Sequence, residues 1–121
     1  MAIQKILVVD DSPTERYFLS DILIKNGFSV STAENGEEAL LKVKADRPQL
    51  ILMDVVMPGQ NGFQVTRALS RNPETQDVPI IICTSKGQET DRIWGLRQGA
   101  RDYIVKPVDP QDLLAKLAAL G

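Results

Sequence analysis

Apolar runs and helix-patterned stretches alternate strictly along this chain, and that alternation limits the fold more than any other feature. The first run, "KILVV" (5–9), closes on Asp10 and Asp11. It leads into "SPTERYFLSDILIKNG", where Ser12 is placed to cap, Pro13 to take the first helical position and Gly27 to end the helix. Tyr17, Phe18, Leu19, Ile22 and Leu23 supply its apolar side at helical spacing. "FSVSTA" (28–33) alternates like a strand at a sheet edge, and "NGEEALLKVKADRP" reads as a helix with Ala39, Leu40 and Val43 inward, stopped before Pro48. The third run, Leu50 to Asp54, precedes a helix opened by Asn61 and Gly62 and carrying Phe63, Val65, Ala68 and Leu69. "VPIIICTS" (78–85) reads as a continuous buried strand before the helix "ETDRIWGLRQG", which ends at Gly99. "DYIVKP" gives the fifth strand, and "DPQDLLAKLAAL" the last helix, with Leu113, Leu114, Leu117 and Leu120.

Strands and helices in strict alternation predict a mostly parallel sheet covered on both faces. Five such units predict an α/β, flavodoxin-like (βα)5 three-layer sandwich whose five-stranded parallel sheet has the order 2-1-3-4-5. Ligands are then expected at the carboxyl ends of strands one and three. With 121 residues, 43% of them hydrophobic, the chain suits one domain over 1–121. No output domain is expected, because "LLAKLAALG" ends the chain directly after the fifth helix.

Charge is nearly balanced at a formal −2, which offers no field for nucleic acid. No run of about 18 apolar residues exists, so no membrane span is expected. The N-terminus lacks a signal-peptide layout, and the single cysteine, Cys83, excludes an internal disulfide and fits a reducing cytoplasm. The absence of histidine removes the commonest general base and metal ligand. Neither G-x-x-x-x-G-K-[ST] nor G-x-G-x-x-G occurs, so nucleotide binding through those loops is unsupported.

The predicted topology gathers five side chains at one sheet edge: Asp10 and Asp11 after strand one, Asp54 after strand three, Thr84 after strand four and Lys106 after strand five. Three carboxylates so close cannot all stay ionised without a cation. Oxygen ligands and a high charge suit Mg²⁺, which accepts one or two carboxylates and several waters. A carboxylate, Mg²⁺, a lysine and a hydroxyl match the needs of phosphoryl transfer, where catalysis is mostly positioning and charge neutralisation. Aspartate is a competent nucleophile for such transfer. Asp54 stands alone on its strand whereas Asp10 and Asp11 are paired like ion ligands, so Asp54 is assigned as the acceptor.

"ILVVDDS", "LILMDVVMPGQNG", "PIIICTS" and "GARDYIVKP" together resemble the successive motifs of response-regulator receiver (CheY-like) domains, over the whole chain and in the family's order. The resemblance implies that Asp54 accepts phosphate from a CheA-like histidine kinase or its phosphotransfer domain. It implies Mg²⁺ held by Asp11, Asp54 and the backbone carbonyl of Val56, with Asp10 acting largely through water. Thr84 and Lys106 would hold the phosphoryl group, and the Lys106–Pro107 bond becomes a cis candidate. Tyr103 occupies the place of the family's rotamer switch. Phosphorylation would draw Thr84 inward and make room for Tyr103 to turn in, reshaping a target-binding face made by the fourth helix, fifth strand and fifth helix. Val56 and Lys86 fall at positions that tune dephosphorylation in the family; neither side chain orients a water, which implies slow phosphate loss. "DDSPTERY", "MDVVMPGQNGFQVTR" and "KGQETDRIWGLRQGARDYIVKPVD" further resemble stand-alone, monomeric receivers of chemotaxis-like systems that control type IV pili and twitching motility. A phosphate sink, or a receiver of another chemotaxis-like pathway, is the alternative.

Plainer readings stand beside these. Asp10 and Asp11 can merely cap a helix, Ser85 can replace Thr84 as the hydroxyl, and Lys106-Pro107 can be an ordinary turn. Aromatics such as Tyr103 are more often packing residues, and Trp94 is either a surface anchor or half-buried filler. The rival function is a small aspartyl-phosphate phosphatase with its nucleophile after strand one. Such an enzyme needs a second carboxylate two positions on, but Ser12 and Pro13 stand there. A flavin-binding reading fails on the acidic loop "DDSPTE". The chain is thus expected to be a phosphoacceptor module and not an enzyme acting on a separate substrate.

Overall fold

The computed structural model describes residues 3–57, 59 and 61–120. Its elements are β1 (Lys5–Val9), α1 (Pro13–Lys25), β2 (Ser29–Ala33), α2 (Gly36–Ala45), β3 (Leu50–Met53), α3 (Gly62–Arg71), β4 (Ile80–Thr84), α4 (Glu89–Arg97), β5 (Asp102–Val105) and α5 (Pro110–Leu120). The strands form one parallel sheet in the order β2-β1-β3-β4-β5, as the alternation predicts. Among the described residues, no helix is long and apolar enough to cross a membrane.

Successive side chains of a strand point to opposite faces, and each face here has its own core. Ile6, Val8, Leu50, Leu52, Ile81, Cys83 and Ile104 meet Leu19 and Leu23 of α1 and Leu113 and Leu117 of α5. On the other face Leu7, Val9, Ile51, Met53 and Ile80 meet Ala39 and Val43 of α2 and Val65 and Leu69 of α3. Burial on both sides explains why the central strands read as unbroken apolar runs. The edge strand β2 alternates, as expected, with only Ala33 fully buried.

Local chemistry sets the helix ends. The Ser12 hydroxyl accepts from the Glu15 N–H (3.3 Å) and Pro13 opens α1. Asn61 and Gln64 form a reciprocal capping box at the start of α3. Gly27, at φ +90°, takes the left-handed conformation that turns the chain from α1 into β2.

Two apolar assignments are corrected. Tyr17 and Phe18 do not join the inner side of α1: both are exposed, Tyr17 by 76%. At 3.6 residues per turn three consecutive positions cannot share one face, and Leu19 with Leu23 claims the inner one. Likewise Ala68 faces outward, and the inward place on α3 belongs to Thr66, whose hydroxyl donates to the Gly62 carbonyl at 2.7 Å. Leu114 and Leu120 pack only at the rim of the first core. Trp94 is half exposed, at 50%, so it does not fill a core position.

This division predicts contrasting effects on stability. Leu23→Ala should lower the unfolding free energy by about 2–5 kcal/mol, as for other buried leucines. Tyr17→Ser should change it by less than about 0.5 kcal/mol, as at an exposed position. Urea denaturation of both variants checks the assignment.

Candidate functional site at the carboxyl edge of the sheet

Each expected site residue lies just past, or at the end of, a strand, and three of them are pinned by one further ladder bond. Asp10 N–H donates to the Ala33 carbonyl (3.0 Å), Asp54 N–H to Val9 (2.9 Å) and Lys106 N–H to Thr84 (2.9 Å). The ladder thus fixes the backbones from which these side chains rise, and the strand order brings together groups as much as 96 residues apart. Asp10 is 1% exposed, Asp54 5% and Thr84 0%, whereas Asp11 is exposed.

The Lys106 ammonium is the hub. Its Nζ lies 2.7 Å from Asp10 Oδ2, 3.5 Å from Asp54 Oδ2 and 3.9 Å from Glu15 Oε2. The second oxygen of Asp10 accepts from the Ser12 N–H at 3.0 Å. Asp54 Oδ1 accepts from the Val56 N–H at 3.2 Å. Oxygens of Asp10, Asp11 and Asp54 all lie within 4.8 Å of one another. The donors are all oxygen and the carboxylates outnumber the nearby ammonium, so the residues suit a hard divalent cation.

Burial raises the Asp54 carboxyl above its ordinary 3.8, and the charge of Asp10 adds to this. The Val56 N–H, Lys106 and the Thr84 hydroxyl favour the charged form without offsetting the rise. Burial pulls the Lys106 ammonium down, but its hydrogen bond to Asp10 and the charges of Asp54, Asp10 and Glu15 carry it above its ordinary value.

Sequence reasoning did not place three contributors, Glu15, Arg16 and Gly62, at this site. Ser12-x-x-Glu15 has the pattern of a capping box, yet only half of one forms. The Ser12 N–H goes to Asp10, and the Glu15 carboxylate faces Lys106. Arg16 donates to the Asp10 carbonyl at 2.8 Å and pairs with Glu34. Gly62 lets α3 approach the loop that carries Asp54: a Cβ there would stand 2.0 Å from the Asp54 carbonyl oxygen and 2.7 Å from Val55 Cα.

Tyr103, at the place of the expected rotamer switch, points inward. The ring is 6% exposed, packed with Val55, Ile82, Ala100 and Phe63. Its hydroxyl donates to the Lys86 carbonyl at 2.6 Å. The Lys106–Pro107 peptide bond is cis.

The family model described as "Response regulator receiver domain" matches residues 6–118. Protein PilH of Pseudomonas aeruginosa is 53% identical over 96% of this chain and 96% of its own length. The phosphate regulon transcriptional regulatory protein PhoB of Escherichia coli is 38% identical over 97% of this chain, which spans 51% of PhoB. Among solved structures, the chemotaxis protein CheY4 of Vibrio cholerae superposes with a TM-score of 0.91 at 34% identity, covering 99% of this chain and all of CheY4.

Two measurements test the electrostatics. Lys106→Met strands two buried carboxylates and should cost about 3–5 kcal/mol at neutral pH, the range for breaking a buried ion pair. Urea denaturation reads it. Because folding raises the Asp54 carboxyl, the stability linked to this group is complete below pH 3.8 and falls as pH rises toward the raised value. Asp54→Asn escapes that loss. It should be more stable than wild type at neutral pH, with the gap closing on acidification through the raised value to below pH 3.8.

Proposed function

The chain belongs to the response-regulator receiver family, and on that premise we propose that it works as a phosphoacceptor switch with Asp54 as the acceptor. The observation that carries this reading is Asp54 itself: a nearly buried carboxylate 3.5 Å from the Lys106 ammonium, beside the carboxylates of Asp10 and Asp11. In transfer from a phosphohistidine, an Asp54 oxygen forms the new O–P bond as the P–N bond breaks. The imidazole leaves with the bonding pair and takes a proton. Lys106 shifts from the carboxylates toward the incoming phosphoryl oxygens, and the Thr84 hydroxyl donates to them.

Asp11, Asp54 and the Val56 carbonyl would hold Mg²⁺, which supplies neutralisation of charge on the transferring group. Asp10 has one oxygen on Lys106 and the other on the Ser12 N–H, which suits a role through water. The same two bonds count against Asp10 as the nucleophile of a phosphatase.

The donor in this reading is a CheA-like histidine kinase or its phosphotransfer domain, met in the cytoplasm. The output is binding of a target protein on the face of α4, β5 and α5, by a monomer that does not act as an enzyme on a separate substrate. The likeness to PilH supports placing it in a chemotaxis-like system for type IV pili and twitching motility.

The deciding test is intact-protein mass after incubation with acetyl phosphate and Mg²⁺. Wild type should gain one labile phosphoryl group, dependent on Mg²⁺, and Asp54→Asn none. An equal gain in the variant, or no gain in either, would remove Asp54 as acceptor.

A further inference from the structure

The half-exposed Trp94 belongs to neither core, and the rotation of α4 turns it away from β5. Gly95 seats this helix on the sheet: a Cβ there would stand 2.7 Å from Ile82 Cδ1 of β4 and 3.2 Å from Phe63 Cε1 of α3. Neighbouring helical residues are about 100° apart, so Trp94 and Leu96 leave that seat on opposite sides. Crossovers in a parallel sheet are right-handed, which puts Leu96 on the side of β5 and Trp94 on the side of α3. The two helices lie alongside each other, with Phe63 against Gly95 and Ser70 against Gly99. Between these two points α3 carries Arg67, one turn after Phe63, and Arg71 follows a turn later. α4 adds Arg97, one turn after Trp94. The groove between α3 and α4 thus has a half-buried aromatic floor, an exposed indole and three arginines on its rim.

The charges on this rim differ from those on the other helices. α1, α2 and α5 each pair an acid with a lysine one turn on: Asp21 with Lys25, Glu38 with Lys42, Asp112 with Lys116. α3 has no acid and sets Arg67 and Arg71 four apart, a like-charge arrangement that weakens a helix. Arg67, Arg71 and Arg97 are exposed and make no ion pair among the described residues, where Arg16 is the arginine that does. Asp91, one turn before Trp94, is the acid on this side of α4 and is only partly exposed. Phe63 also lines a shallow cavity of about 240 Å³ with Val55, Val56, Met57, Asn61 and Lys86, so the groove continues toward Asp54. Tryptophan and arginine are enriched among the residues that carry protein–protein binding energy. We propose that the groove between α3 and α4 is a docking surface for an acidic segment of a partner protein. One apolar side chain of that segment enters the cavity beside Phe63, and its carboxylates meet Arg67, Arg71 and Arg97. This surface is separate from the face of α4, β5 and α5, and it does not depend on phosphoryl transfer.

Trp94 is the single tryptophan of the chain, so its fluorescence reads this surface without a label. The probe is a synthetic nonapeptide of aspartates and glutamates around a central leucine–phenylalanine pair; the same peptide with lysines in place of the acids is the control. The acidic peptide should shift the Trp94 emission to the blue in a saturable titration that weakens as salt rises, and the basic one should leave it unchanged. Arg67→Glu combined with Arg97→Glu should weaken binding by about tenfold or more, as expected for loss of charge-assisted contacts. Arg92→Glu combined with Arg47→Glu makes the same change in net charge at exposed positions outside the groove, and should weaken binding by less than about twofold, as screened distant charges do. Far-ultraviolet spectra verify that both chains fold; if the groove variant does not, Arg67→Gln with Arg97→Gln takes its place. No emission shift up to about 1 mM acidic peptide would overturn the proposal. Equal losses in the two double variants would also overturn it, by assigning the binding to overall charge. A shift that appears on raising the protein concentration without peptide, with dimers in sedimentation, would give the groove to a second copy of the chain and overturn the acidic partner. Failure of phosphoryl uptake in the mass measurement would sink the receiver chemistry and leave this result standing.

Discussion

The contact between the Lys106 ammonium and the carboxylates of Asp10 and Asp54 is the constraint on which the rest of this structure turns. Burying either acid without a cation would cost several kcal/mol even after relaxation, by the general penalty for unpaired interior charge. The cation arrives from the far end of the chain, at the close of β5, and reaches β1 and β3 only because the strand order interposes β4 alone between β3 and β5. The fold and the site are therefore one problem. A sheet that set β5 far from β1 and β3 would leave the acids at its edge without this lysine. The balance is also left incomplete, since Asp11 and Glu15 add negative charge around one ammonium. An under-neutralised edge attracts a cation, and the lysine is then freer to meet an anion.

Precision at this edge comes from backbone as much as from charge. The ladder bonds that hold Asp10, Asp54 and Lys106 continue the sheet one residue beyond its strands. Gly62 brings the start of α3 against the Asp54 carbonyl, and the Gly62 N–H donates to the Val55 carbonyl at 3.2 Å. The Asp54 carboxylate thus stands on a segment braced from β1 on one side and from α3 on the other. Catalysis by positioning needs this kind of support, because reacting groups must be held close to their working geometry without further ordering.

Much of this was legible in the sequence for one physical reason. Buried parallel strands are unbroken apolar runs, so the polar residue that ends each run marks the sheet edge and points to the site. Asp10, Asp54 and Lys106 all announce themselves in this way. Features set by contacts between elements left no such mark. Tyr17 and Phe18 look like core until Leu19 and Leu23 are seen to claim the inner face of α1. Glu15 sits in a capping pattern that would ordinarily turn it back on its own helix, yet the Ser12 N–H is already spent on Asp10. Gly62 reads simply as a residue that opens α3, and only the facing backbone shows why a methyl group fails there. The inward Tyr103 was equally hidden, because a rotamer depends on the shape of the cavity that receives it.

Thr84 and Tyr103 converge on one residue between β4 and α4. The Lys86 N–H points at the Thr84 hydroxyl at 3.5 Å, a long bond, while the Lys86 carbonyl takes the Tyr103 hydroxyl at 2.6 Å, a short one. Gly87 follows, and a Cβ there would stand 3.0 Å from Val105 Cγ1, so this loop lies close on β5. A pull on Thr84 from the Asp54 side would weaken the long bond first and leave the short one to hold the ring. The loop thus ties the Asp54 edge to β5 through Thr84 on one side and the Tyr103 hydroxyl on the other. The populations to compare are then those of the β4–α4 loop, because a ligand shifts an equilibrium only between states it binds unequally.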